Sequence, residues 1–104
     1  MPQVFAVQNK GYDMRPAEVY GTVHILFDGP VSDFFNTTGL AHTIKKKLEL
    51  ATKDDYLVLV GNVLANSIVM TVWMQRFGYV NLLLFDARTS TYVPRLLAAH
   101  HVAM

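Results

Sequence analysis

The chain has no cysteine, which excludes disulfides, thiolate nucleophiles and thiolate-bound metals. It also lacks the glycine spacings of phosphate loops: neither GxGxxG nor GxxxxGK followed by Ser or Thr occurs. HExxH and GxSxG are missing, and the four histidines form no ligand set, since His24 and His42 are far apart and His100-His101 are adjacent in the tail. Charge is scarce at 16% of residues, against roughly a quarter in a typical globular domain. It is balanced as well, nine Lys plus Arg against eight Asp plus Glu, so no overall field draws the protein to a polyanion. Internal repeats, low-complexity tracts and linkers are absent. Met1 to Lys10 has neither the basic start nor the long apolar run of a signal peptide, so a cytoplasmic protein is the expectation.

What the chain has in quantity is apolar surface, 52% hydrophobic residues in a length of 104. That length fits a single domain, residues 1–104. A domain of this size buries only about two-thirds of the surface its unfolded chain exposes, so surplus apolar area favours self-association and a homodimer is expected. Tyr56 to Gln75 carries no charge and is as long as the roughly 20 residues that span a bilayer. Gly61, Asn62, Asn66, Ser67 and Thr71 would place polar groups at mid-bilayer depth, so a strand followed by a helix is the better reading.

The element order follows from periodicity. Gln3 to Gln8 reads as a short strand and NKGYDMRPAE as a loop, and Tyr20 to Phe27 alternates with the period of a strand before Asp28-Gly29-Pro30 ends it. After VSDFF, Asn36, Thr37 and Thr38 offer helix N-caps, and Leu40, Ile44, Leu48 and Ala51 recur at helical spacing with Lys45 to Lys47 turned to water. Tyr56 to Val60 is an uninterrupted apolar run of the kind covered on both sides. Gly61 to Phe77 reads as a second helix closed by Gly78. It is apolar nearly all round, so Val69, Met70 and Trp73 are interface candidates toward a second subunit. Val80 to Phe85 is the next buried strand, and Thr91 to Val93 an antiparallel edge strand closed by Pro94. Residues 96–104 are expected to be a flexible tail or a docking helical turn. The class is α/β, a single small domain of order β-β-α-β-α-β-β, with a mixed sheet, parallel central strands and a Rossmann-like three-layer or two-layer arrangement.

Ligands of open α/β sheets bind beyond the carboxyl ends of the parallel strands. This nominates Gly61, Asn62, Asp86, Arg88, Asp28 and Asn9. Gly61-Asn62 opens a helix whose free amides suit a phosphate or carboxylate, although the turn and the N-cap account for both residues. Asp86 and Arg88 form a polar pair, with Asp28 as a second carboxylate, yet each sits where a turn needs it. No catalytic constellation, metal set or cofactor is indicated.

The segments YDMRPAEVYG, DGPV, DDYLVLVGN and RFGYVNLLLFDARTSTYV together resemble a group of small proteins encoded by bacteriophages and related mobile elements. The resemblance spans residues 3–93 and is carried by Tyr12, Asp13, Ala17, Glu18, Gly21, Asp55, Tyr56, Gly78 and Asn81. It implies a phage origin rather than an activity. It draws attention to Tyr12, Asp13 and Glu18, polar and aromatic residues in a loop that needs none of them for a core. The functional expectation is a non-enzymatic phage accessory protein that binds a host or viral protein as a homodimer. The alternatives are a nucleotide-binding or nucleotide-cleaving domain with its ligand at the strand ends, and a structural component of the virion.

Overall fold

A computed structural model describes residues 2–31 and 36–102; residues 32–35 of the VSDFF segment and the last two residues lie outside this description. Five strands form one sheet: β1 (Gln3–Asn9), β2 (Thr22–Asp28), β3 (Tyr56–Val58), β4 (Tyr79–Asp86) and β5 (Thr91–Ala98). Their spatial order is β2-β1-β3-β4-β5. The first four are mutually parallel and β5 runs antiparallel to β4. Helix α1 (Thr37–Lys47) connects β2 to β3, and α2 (Val63–Phe77) connects β3 to β4. The expected α/β class, mixed sheet and parallel centre are therefore present.

The two faces of the sheet are covered unequally. Phe5, Val7, Leu57 and Val80 point into a core with Leu40, Ile44 and Leu48 of the α1 segment and Ala65, Ile68, Val69, Val72 and Trp73 of α2. The alternate residues Val4, Ala6, Val58 and Leu83 cluster with Tyr92 of β5 under a 3-10 helix, Arg15–Tyr20, which contributes Ala17 and Tyr20, with its N-cap Met14 beside them. A six-residue 3-10 helix cannot roof five strands, so this face stays open beside it.

Local chemistry sets the helix ends. Asn36 accepts the Gly39 N–H at 2.9 Å and Asn62 accepts the Ala65 N–H at 2.9 Å, each a side-chain N-cap. Gly78 closes α2 at φ 77°, a left-handed value that favours glycine. The Arg76 guanidinium donates to the carbonyls of Leu48 and Ala51, tying the end of α2 to the end of α1.

Four boundaries depart from the sequence expectation. An Arg15–Tyr20 helix replaces a plain loop, so β2 starts at Thr22. β3 stops at Val58 instead of Val60. β5 runs through Pro94 to Ala98, because on an edge strand the missing proline N–H can face outward without costing a ladder bond. Leu96 to Ala98 are thus sheet rather than tail, and a second 3-10 helix, Ala99–Val102, follows with the Ala99 N–H on the Gly78 carbonyl. Among the described residues no helix is long and apolar enough to cross a membrane.

Asp55, only 2% exposed, aligns the entry to the sheet: its carboxylate accepts the Gln3 N–H at 2.8 Å and the Thr52 N–H at 2.8 Å. Removing it strands two amides in a buried corner. Asp55→Ala should lower unfolding free energy by about 2 to 3 kcal/mol in urea denaturation, and Asp55→Asn, which keeps an acceptor, by less.

Candidate functional site

The strand order reverses between β1 and β3, so the crevice that usually receives a ligand would lie between their carboxyl ends. Gln8 occupies it. Buried to 4% exposure, its side chain accepts the Asn62 N–H at 2.7 Å and donates to the Gly29 carbonyl at 2.8 Å, joining the ends of β1, β2 and β3. Gly61, at φ 92°, lies directly on this side chain, and a Cβ there would collide with the Gln8 amide. Two of the amides at the Gly61-Asn62 helix start are therefore engaged from within: Gln8 accepts from Asn62, and Asn62 accepts from Ala65.

The polar pairs of the strand ends are also self-contained. Asn9 donates to Asp28 at 3.2 Å and accepts the Gly11 N–H. Asp86 accepts the Arg88 N–H and guanidinium, and these bonds hold its carboxyl below the usual carboxylate range. That geometry closes the β4–β5 hairpin and leaves the Arg88 side chain 89% exposed.

The larger concavity lies one strand further along. The β3–β4 ladder consists of Tyr56↔Asn81 and Leu57↔Leu82 and then ends. Beyond it the chain turns toward Gln8 through Leu59, Val60 and Gly61, while β4 continues to Asp86 paired with β5. Between the diverging segments is a cleft of 720 Å³. Val58 to Gly61 form one wall, Leu82 to Phe85 the other, and Tyr12, Asp13, Met14 and Pro16 roof it, with Ser90 and Tyr92 at the hairpin end.

The roof is anchored by aromatic residues. The Tyr20 hydroxyl donates to the Tyr92 carbonyl at 3.0 Å, and its ring lies 5.2 Å from that of Tyr56. The Tyr92 hydroxyl donates to Met14 Sδ at 3.3 Å, and its ring meets Phe85 edge-on at 5.3 Å. Burial, and next the nearby Asp13 charge, push the Tyr92 phenol above its ordinary pKa. Asp13 is the one charged residue in the lining; hydrogen bonds from the Arg15 guanidinium and N–H lower its pKa to about 2.

Of the residues singled out in the sequence, Tyr12, Asp13 and Gly61 come together at this cleft. Asn62 stands beside it in a second hollow with Gln8, Lys10 and Pro30. Asp28, Asn9, Asp86 and Arg88 close turns, and Glu18 sits in the 3-10 helix, where its carbonyl accepts the Gly21 N–H. Val69 and Trp73, expected at an interface, are at 0% and 1% exposure inside this chain's own core, because α2 is covered by both the sheet and α1; Met70 is half-buried against the same core. Sequence reasoning missed Met14, Leu59, Leu84, Phe85 and Tyr92. Their apolar runs carried no signal, since Tyr56 to Val60 and Leu82 to Phe85 end level with one another in the β3–β4 register.

Two outcomes test this geometry. Gly61→Ala should cost at least about 2 kcal/mol through strain and collision, and Gln8→Ala in the same chain should recover part of that by removing the clash with the amide while the contact with the Cβ of residue 8 remains, a non-additivity readable in urea denaturation. Because the folded-state pKa of Tyr92 is raised, its stabilising contribution is complete below about pH 10 and is lost as pH rises further. The decline in stability above pH 10 should accordingly be shallower in Tyr92→Phe.

No curated protein and no solved structure matches the chain. The family model of the phage Pam3 gp32-like proteins matches residues 2–98, from the start of β1 to the end of β5, and the chain belongs to this phage-encoded family.

Proposed function

We propose that this phage protein acts without catalysis by binding a host or viral protein, and that the cleft between β3, β4 and the Tyr12–Pro16 segment is its binding site. The observation that carries the reading is that four exposed large apolar side chains gather at one concave site. Tyr12, Leu59, Leu84 and Phe85 are 64%, 42%, 49% and 54% exposed, and all four line the cleft. Covering aromatic and aliphatic groups around a concave site is the usual source of interface free energy. A nucleotide fits the surroundings less well. Two of the amides at the start of α2, those of Asn62 and Ala65, are already bonded to Gln8 and Asn62, and among the described residues the single charge in the cleft is a carboxylate. A homodimer would now have to form elsewhere than on Val69 and Trp73.

The test is site-specific crosslinking in extracts of infected cells. A photoreactive residue at Leu84 should capture one protein, the same residue at Leu50 near the opposite end of the sheet should not, and Phe85→Asp should abolish the product. Equal capture from both positions, or crosslinks to a second copy of this chain alone, would sink the reading.

A further inference from the structure

We infer that the cleft takes an extended peptide segment, apolar and non-acidic, which hydrogen-bonds along the free edge of β4 as an added strand. This rests on the cleft being the protein-binding site and names what enters it.

The register carries the argument. β4 is bonded to β5 along its whole length, from Tyr79↔Ala98 to Asp86↔Thr91. On its other side the ladder to β3 stops at Leu82. Leu83 to Phe85 therefore have a strand on one flank and the cleft on the other. In a sheet, the main-chain N–H and C=O groups of successive residues point alternately to the two flanks, so part of this stretch directs its hydrogen-bonding groups into the cleft. Three residues of strand are about 10 Å long, room for a segment of similar length to continue the line that β3 abandons. Strand addition of this kind draws affinity from main-chain bonds and selectivity from pockets for alternate side chains. Here Tyr12 and Met14 in the roof, with Leu59, Leu84 and Phe85 in the walls, offer apolar surroundings on both sides of such a strand.

Charge selects further. Among the described residues no Lys or Arg lines the cleft, and Asp13 does. Arg15, which pairs with Asp13, has an 82% exposed side chain and is not part of the lining. An acidic segment would meet a carboxylate with no cation in the walls, whereas a basic residue entering the cleft can share it. The outer edge of β5, the other free edge of this hairpin, is interrupted by Pro94, which has no N–H to offer.

Two measurements decide it. In the free protein, hydrogen exchange read residue by residue should show alternate amides of Leu83 to Phe85 exchanging about 100-fold faster than their neighbours bonded to β5. Uniform protection would mean the edge is already satisfied and would overturn the inference. Selection from a displayed library of random peptides of about seven residues should then enrich sequences with apolar residues at alternate positions and without Pro, Asp or Glu. Such a peptide, N-methylated at one central residue, should bind at least about tenfold more weakly. Failure to enrich, enrichment that persists on Leu84→Asp protein, or indifference to N-methylation overturns the added strand. Crosslinking from position 84 that persists alongside indifference to N-methylation would leave the protein-binding reading standing, while loss of that crosslinking would overturn both.

Discussion

A single buried amide side chain organises the carboxyl ends of the sheet. Gln8 has one acceptor and one donor group, and the fold spends them on the Asn62 N–H and the Gly29 carbonyl. An unpaired buried amide is costly, so satisfying Gln8 constrains where the segment after β3 can run. Gly61 makes that approach possible because no Cβ intervenes. The chain is drawn toward β1 within three residues of Val58, and β4, held straight by β5, does not follow. The cleft is the gap that these two demands leave between them.

Coverage of the sheet explains why that gap stays open. On one face two helices share a core in which Trp73 packs edge-on against Phe5 and Phe77, with ring centroids 5.9 Å and 5.6 Å apart. On the other face the crossover from β1 to β2 is a 3-10 helix whose one fully buried residue is Ala17. The roof over the cleft is thus held mainly by three tyrosines and a methionine. The bond from Tyr92 ends on a thioether, a weak acceptor, so the roof is fastened less firmly than the helical face. A roof held this way can shift at small cost, since few buried contacts need to break.

How much of this was legible in the sequence depended on range. Helix caps and apolar stripes are local, and Asn36, Asn62, Gly78 and the Leu40–Ile44–Leu48 stripe all behave as their spacing implied. Pro94 misled because a proline ends a central strand but not an outer edge, and edge position is a property of the whole sheet. Val69 and Trp73 misled for the same reason: apolar residues all round a helix require cover on several sides, and sequence cannot distinguish α1 from a second subunit as the cover. Tyr12 and Asp13 stood out because a loop has no packing use for them. Leu84, Phe85 and Tyr92 did not, because in sequence they are ordinary strand residues. They become a site only when β3 ends early, and that depends on a contact between residues 54 positions apart.

The same contact bears on what an α/β scaffold with a helix opening at Gly61-Asn62 offers an anion. A helix N-terminus attracts an anion because its first amides lack partners. In this chain Gln8 and Asn62 supply oxygen acceptors to the amides of Asn62 and Ala65, so a phosphate would have to displace bonds already formed in a buried setting. Among the described residues no lysine or arginine lines the neighbouring cleft, and Lys10 is the one cation in the hollow beside Asn62. What the strand ends do present is apolar surface and, beside it, an edge of main chain that one strand has left unpaired. Those two features together are what an extended polypeptide can use and a phosphate cannot.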